Sequence, residues 1–267
     1  MNDFEFQFPE RPLAGRQIIL AGGSGGLGSA CAVLLAREGA SLVIGFRSDR
    51  ARAEQLASIL TEQGAAGVTL VEGDLANAEV RSKLVAAAAQ PYGVVCFNGD
   101  PGRVKFDQAS SEDLSDSLEA NYSVPLLLAR EAAEAMQRRK QAGSLIFISS
   151  MQALVPFDSS LNYAGAKAAL HHATRILARQ WGGVTGIRVN TVAPGVNRAG
   201  MALASIATGK YDPFVDRGVV SRFGRPEDVA RVVRLLLEPD NYITGQVIAV
   251  DGGLTLRRDC EKSAASS

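Results

Sequence analysis

The run Gln17-Ile18-Ile19-Leu20-Ala21-Gly22-Gly23-Ser24-Gly25-Gly26-Leu27-Gly28, followed by the alanine- and leucine-rich stretch Ala30 to Glu38, decides how the rest of the chain is read. A short apolar run with β-branched residues reads as a buried strand, the glycines as a tight turn, and the stretch after them as a helix. Strand, glycine turn and helix in that order make a phosphate loop. The glycines let the backbone approach a pyrophosphate, and the helix N-terminus presents unpaired N–H groups with a partial positive charge. Two registers fit: Gly23, Gly25 and Gly28 match G-x-G-x-x-G, while Gly22, Gly26 and Gly28 match G-x-x-x-G-x-G. Spacing alone does not choose between them.

Further along, Ser41 to Phe46, Gly67 to Glu72, Gly93 to Phe97, Leu145 to Ile148, Ile187 to Ala193 and Gln246 to Val250 read as strands. Asp49 to Gln63, Ala78 to Ala89, Ser111 to Lys140, Asn162 to Trp181 and Pro226 to Leu237 read as helices, with Pro125 expected to bend or divide the third of these. Alternation at this spacing implies parallel strands joined by right-handed crossovers. The expected fold is therefore α/β: a Rossmann-type doubly wound parallel seven-stranded sheet with helices on both faces, in a single domain. Residues 1–15 read as a loose lead-in, 16–256 as the dinucleotide-binding domain and 257–267 as a polar tail. Residues from about 195 to 225 lack clear periodicity and are long for a connection, which marks a substrate loop or lid.

Composition narrows the partners. Among 267 residues, Lys and Arg total 28 and Asp and Glu total 28, with no basic stripe, so no nucleic acid partner is expected. The acidic start lacks the basic-then-apolar order of a signal peptide and no apolar run approaches a membrane span, so the expectation is a soluble, cytoplasmic protein with no membrane partner. Cys31, Cys96 and Cys260 have no ligand spacing and form neither a metal site nor a disulfide framework.

Ligands of such sheets lie at the carboxyl ends of the strands. At the end of the second strand an acidic residue would accept from free ribose hydroxyls, whereas arginine matches a 2′-phosphate. Arg47, with Ser48 beside it, therefore favours NADP(H), with NAD(H) the alternative cofactor; Arg50 and Arg52 read as solvating a helix start. The fifth strand delivers Ser149 and Ser150 to its carboxyl end, and beyond them Tyr163 and Lys167 stand four apart on one helix face. A free tyrosine ionises near a pKa of about 10, roughly 2 to 3 units too high for proton exchange at neutral pH. A cation about 4 Å away contributes on the order of 4 kcal/mol at an effective dielectric of about 20, nearly enough to close that gap. Alone, Tyr-x-x-x-Lys is also the pattern of a solvated helical pair; its place after a strand end makes it a proton-transfer site. Asn121, a mediocre helix former within a helical stretch, either caps a turn or serves the site. His171 and His172 read as running away from the strand ends toward the helix surface.

Taken in order, these features resemble the short-chain dehydrogenase/reductase family, and within it the branch that includes the 3-oxoacyl-acyl-carrier-protein reductases. The likeness runs from about Gly15 to Leu256 and rests on joint spacing: the glycine loop, Ser150 thirteen residues before Tyr163, Lys167 four after it, Pro194-Gly195, and the terminal Val250-Asp251-Gly252-Gly253. The resemblance implies that Tyr163 is the general acid or base, that Lys167 lowers its pKa and holds the nicotinamide ribose, that Ser150 positions the substrate oxygen, and that Asn121 supports a proton relay through water. For the dinucleotide it implies contacts from Gly22, Ser24, Gly25, Gly26, Leu27 and Gly28, from Asp74 and Leu75 at the adenine, and from Asn98, Gly99, Pro194, Gly195 and Asn197. It also implies a homotetramer or homodimer, paired through helices such as the one carrying Tyr163, with Asp251-Gly252-Gly253 serving the same assembly.

Three positions depart from the family pattern: Ala21 and Ala199 stand where threonine is usual, and Phe97-Asn98-Gly99-Asp100 where Asn-Asn-Ala-Gly is. Asp100 places a negative charge near the rim of the site. The expected function is NADP(H)-dependent reduction of a small-molecule ketone to a secondary alcohol. An NAD-dependent alcohol or sugar dehydrogenase on the same fold and a non-catalytic dinucleotide-binding regulatory protein are the alternatives. Met151, Leu154, Val155, Phe157, Met201 and Phe214 suggest an apolar substrate body, while Arg103 and Arg198 either meet an anionic group or solvate loops.

Overall fold

Seven strands hydrogen-bond side by side: Gln17–Ala21 (β1), Ser41–Phe46 (β2), Gly67–Glu72 (β3), Pro91–Cys96 (β4), Gly143–Ile148 (β5), Ile187–Pro194 (β6) and Val247–Val250 (β7). Their order in the sheet is β3-β2-β1-β4-β5-β6-β7, and every neighbouring pair is parallel. The computed structural model describes residues 10–102, 104–158, 160–200 and 202–257. The strands are joined through Gly26–Arg37 (α1), Arg50–Glu62 (α2), Ala78–Ala86 (α3), Ser111–Leu118 (α4), Val124–Arg138 (α5), Leu161–Thr185 (α6), Ala202–Ala207 (α7), Asp212–Asp216 (α8) and Pro226–Leu237 (α9); Leu254–Arg257 (α10) follows β7.

Side chains alternate along a strand, so each strand feeds two cores. Ile18 and Leu20 of β1 pack with Leu35, Leu42, Leu56, Leu60 and Val233, on the side of α1, α2 and α9. Ile19 and Ala21 pack with Leu84, Leu128, Met136, Phe147 and Leu170, on the side of α3, α5 and α6. A slip of one residue would exchange these sets between faces, which fixes the register. The chain leaves β1 toward β2 and β3, then returns to the other side of β1 for β4 through β7. The connections at the carboxyl ends of β1 and β4 thus diverge and leave a crevice between them.

Several expectations are corrected. Residues 10–15 are not a loose lead-in, because Leu13 is fully buried in the core and Gly15 N–H donates to the Gly39 carbonyl at 2.9 Å. The first helix begins at Gly26, inside the glycine run, and α6 continues to Thr185, where Gly186 closes it in the left-handed conformation. The stretch from Ser111 to Lys140 is divided, as expected, and the division is a π turn, Glu119–Ser123, just upstream of Pro125. A proline ring displaces the carbonyl four residues before it and donates no hydrogen bond to it. Here that carbonyl belongs to Asn121, so the wide turn forms around Asn121. The 195–225 loop holds α7 and α8, and Val196, Tyr211, Val219, Val220 and Phe223 pack with Met151 and Leu254 in a third apolar cluster above the strand ends. Residues 1–9 of the lead-in, and the tail after Arg257 with Cys260, lie outside the described residues. Cys31 and Cys96 are free and buried.

The glycine turn can be tested directly. A Cβ on Gly28 would lie 2.7 Å from the Gly22 carbonyl oxygen and 2.8 Å from Gly23 Cα, backbone atoms with no room to retreat. A Cβ on Gly183, in α6, would meet nothing within 4 Å. Gly28→Ala is expected to destabilise the protein by about 1–3 kcal/mol. Gly183→Ala should stabilise it by about 0.5–1 kcal/mol through helix propensity. Thermal unfolding followed by circular dichroism separates them, and shifts of the same sign would show that the turn does not depend on this contact.

Candidate active site

The glycine turn sets one end of the crevice. Gly22 adopts φ +74°, a left-handed conformation that side chains disfavour, and its carbonyl is the atom against which Gly28 packs. Gly26 approaches the segment after β6 so closely that a Cβ there would sit 2.5 Å from Gly200 N. Gly22, Gly26 and Gly28 are each fixed by such approaches, and Gly23 is crowded too, since a Cβ there would lie 2.8 Å from Leu20 Cβ. Gly25 is the N-cap of α1, and no side chain caps that helix. Its first N–H groups are therefore available to a ligand.

The centre of the site lies beyond β5. Ser150 is extended and its Oγ accepts from Gln152 N at 3.2 Å. Tyr163 and Lys167 are both buried on the inner side of α6, with Lys167 only 4 % exposed. Lys167 Nζ donates to the Ile148 carbonyl, the last of β5, at 3.0 Å and stands 5.9 Å from the centroid of the Tyr163 ring. Burial disfavours its charged form and lowers its pKa from 10.5 to about 8. His171 does not run out to the helix surface: it is half-buried, and its Nε2 lies 2.7 Å from Ser149 Oγ. Ser149 Oγ also lies 3.2 Å from the Lys167 carbonyl, to which it donates when His171 carries its proton on Nε2. Burial, and then the charge of Arg175, hold the His171 pKa below its ordinary value. His172 is exposed, as expected.

Asn121 does more than cap a turn. Fully buried in the π turn, it donates through Nδ2 to the Asp100 carbonyl at 2.7 Å and to the Ser117 carbonyl at 3.1 Å, and its Oδ1 accepts from Asp100 N at 3.1 Å. It thereby fixes the segment that follows β4. The Asp100 carboxylate accepts from Gly102 N at 2.9 Å within that segment.

A cavity of about 610 Å³ joins these parts. Gly22, Ser24, Gly25, Gly26, Leu27 and Gly28 border it, as do Arg47, Asn98, Gly99, Asn121, Ser150, Tyr163, Lys167, Pro194, Gly195 and Asn197. Ser48, Asp74 and Leu75 are not on its wall. Asp74 Oδ1 accepts from Ala76 N at 2.9 Å, and the Leu75 carbonyl is held by the buried Arg81, which also pairs with Glu131 at 2.9 Å. Arg50 pairs with Glu72 and Arg52 is exposed, both in keeping with a solvated helix start, and Arg52 also borders the cavity. Its place in the first turn of α2, just past the end of β2, was the available signal. Met151 is on the wall, Arg198 instead stacks on Phe223 at 5.6 Å, and Arg103 and Met201 lie outside the described residues. Gln152, also on the wall, is a residue that sequence reasoning missed.

The cavity suits a dinucleotide. Its volume is that of a small-molecule site, and α1 offers uncapped N–H donors. Asn98 Oδ1 and Asn197 Oδ1 are buried with no hydrogen-bond partner among the described residues, so ribose hydroxyls or a carboxamide N–H would satisfy them. An unmet buried acceptor costs about 1–3 kcal/mol, which favours a ligand that donates there. Beside them, a phenol and a hydroxyl close to a buried ammonium can stabilise an oxygen on which negative charge develops. No cluster that could hold a metal ion occurs among the described residues.

Residues 21–255 match the enoyl-(acyl carrier protein) reductase family. A tropinone reductase homologue of Arabidopsis thaliana is 32 % identical over 254 residues, covering 91 % of this chain and 94 % of that one. A 3-oxoacyl-[acyl-carrier-protein] reductase of Rickettsia felis is 30 % identical over 245 residues, covering 91 % and 98 %. A solved structure of a short-chain type dehydrogenase/reductase from Mycobacterium ulcerans superposes with a TM-score of 0.83 at 27 % identity, covering 91 % of each chain. With this sheet order, this glycine turn and these relatives, the chain belongs to the short-chain dehydrogenase/reductase family of oxidoreductases.

Proposed function

We propose that this oxidoreductase reduces a ketone to a secondary alcohol with NADPH, and that Tyr163 gives the proton to the carbonyl oxygen. The observation that carries the proposal is the buried Tyr163–Lys167 pair at the carboxyl end of β5, in one cavity with Ser150 and the glycine turn. The dinucleotide, when bound, supplies the hydride. Ser150 Oγ and the Tyr163 hydroxyl hold the substrate oxygen and donate to it as negative charge builds there. Lys167, as a cation, stabilises the charge left on the Tyr163 oxygen when its proton departs. Asn121 holds the segment after β4 in place and supports return of that proton from solvent. The N–H groups at the start of α1 bind the pyrophosphate, and Asn98 and Asn197 accept from the nicotinamide half.

Arg47 and Arg52 on one wall support a 2′-phosphate rather than free ribose hydroxyls, and so NADP(H) over NAD(H). An apolar groove of about 670 Å³ between α5 and α6, lined by Leu126, Ile176, Leu177 and Trp181 among others, supports the expected homodimer or homotetramer.

Tyr163→Phe is expected to abolish reduction across a panel of ketones while NADPH still binds in a fluorescence titration. Turnover that survives the substitution would remove Tyr163 from the proton transfer. Arg47→Asp should weaken NADPH at least tenfold and leave NADH unchanged or tighter, since it replaces a partner of the phosphate with a like charge. An unaltered ratio of the two affinities would assign the cofactor preference elsewhere.

The buried lysine predicts a pH dependence of stability. The unfolded chain keeps the lysine proton up to pH 10.5, whereas the folded protein loses it near 8. Between those values unfolding takes up a proton, so the destabilisation this group imposes below pH 8 fades as pH rises. In urea titrations from pH 7 to 10.5, the protein should gain on a Lys167→Met variant by up to about 3 kcal/mol. A gap that stays constant with pH would show that Lys167 does not titrate in this window.

A further inference from the structure

A second cavity, of about 570 Å³, adjoins the first and shares two walls with it, Gln152 and Tyr211. Gln152 comes two residues after Ser150 and is 6 % exposed. Its backbone N–H donates to Ser150 Oγ at 3.2 Å, and its Oε1 accepts from the buried Ser160 Oγ at 2.5 Å. The side-chain amide is thus anchored through its Oε1. Its Nε2 makes no hydrogen bond among the described residues, so two N–H donors of a largely buried side chain remain for whatever occupies the cavities.

The far side of the second cavity is charged. Lys105 and Lys210 both line it, and Lys210 Nζ lies 5.7 Å from the centroid of the Tyr211 ring, the same ring that borders the catalytic cavity. Among the described residues neither lysine has a carboxylate within 4 Å. Asp158 is the acidic residue on the same wall and, among the described residues, has no ion-pair partner within 4 Å, so the lining carries two ammonium groups and one carboxylate. The balance is positive on the side away from the glycine turn.

Resting on the carbonyl-reductase reading above, we infer that the substrate carries an anionic group, a carboxylate or a phosphate monoester, which sits in the second cavity between Lys105 and Lys210. Gln152 Nε2 donates to a polar atom of that group or of the chain linking it to the ketone. An apolar tail would leave the Gln152 amide without an acceptor, and a cationic one would meet two like charges. Phe157 and Tyr211 supply the apolar surface for the linking chain. The electrostatic part acts at a cavity open to water, so it weakens as salt is added.

The test is steady-state NADPH oxidation with matched pairs that differ in charge. One arm sets 4-oxopentanoate, 5-oxohexanoate and 7-oxooctanoate each against its ethyl ester; the other sets dihydroxyacetone phosphate against dihydroxyacetone. At least one anion should exceed its neutral partner by about tenfold or more in kcat/KM, chiefly through KM, and the arm in which it appears separates carboxylate from phosphate. In a Lys105→Gln/Lys210→Gln variant the ratio of anion to neutral partner should fall to about one, and Gln152→Leu should raise the KM of the preferred anion more than it lowers kcat. Neutral partners reduced as well as or better than every anion would overturn this inference and leave the carbonyl-reductase reading standing. A preference that survives the double substitution would overturn the assignment to these lysines. No turnover of any compound would overturn the underlying reading, and the inference with it.

Discussion

A lysine ammonium that is 4 % exposed is the constraint on which the site depends. Taking a charge out of water is unfavourable unless fixed dipoles replace the lost hydration, and the fall of the Lys167 pKa to about 8 shows that the replacement is incomplete. The Ile148 carbonyl, the last of β5, supplies one such dipole at 3.0 Å. For Lys167 to reach that carbonyl, α6 must lie close to the sheet, and the small residues Ala166 and Ala173 on its buried face allow this. The same rotation of α6 turns Tyr163 inward beside it. Ser149 and His171 secure the helix from behind through the Lys167 carbonyl.

Strand positions were legible because the strands are short apolar runs, most of them followed at once by glycine, aspartate or serine, and because alternation with helices permits few topologies. The limits of β1, β2 and β3 are those expected, and those of β4 to β7 differ by one or two residues at one or both ends. Ser150, Tyr163 and Lys167 were legible for a related reason: a strand end and a helical repeat of four place them, without reference to distant parts of the chain. Arg47 was readable at the end of β2 for the same cause.

Features that depend on contacts between distant segments were not legible. The π turn around Asn121 is provoked locally by Pro125, yet its orientation is fixed by the Asp100 backbone, twenty-one residues away. His171 looked peripheral because helical periodicity does not say how far a sheet extends beneath a helix; Ser149, at the end of β5, receives it. Arg52 and Gln152 have unremarkable neighbours in sequence and gain their place from the bend of the chain after β2 and β5. Asp74 and Leu75 take part in the turn after β3, where Asp74 Oδ1 accepts from Ala76 N and Arg81 holds the Leu75 carbonyl, and that turn does not border the cavity.

The departure at Phe97-Asn98-Gly99-Asp100 follows from the same crowding around Lys167. A Cβ at position 99 would lie 2.6 Å from Asn121 Oδ1 and 3.0 Å from Lys167 Nζ. Neither group can yield, since Asn121 is tied to the Asp100 backbone in both directions and Lys167 to the end of β5. Glycine at 99 is therefore what this packing of asparagine against lysine requires. The acidic residue beside it contributes its main chain to that clamp, while its carboxylate is taken up by Gly102 N. A segment that looks altered beside the family pattern is consistent, on these contacts, with an intact site: the change in sequence accommodates the buried pair.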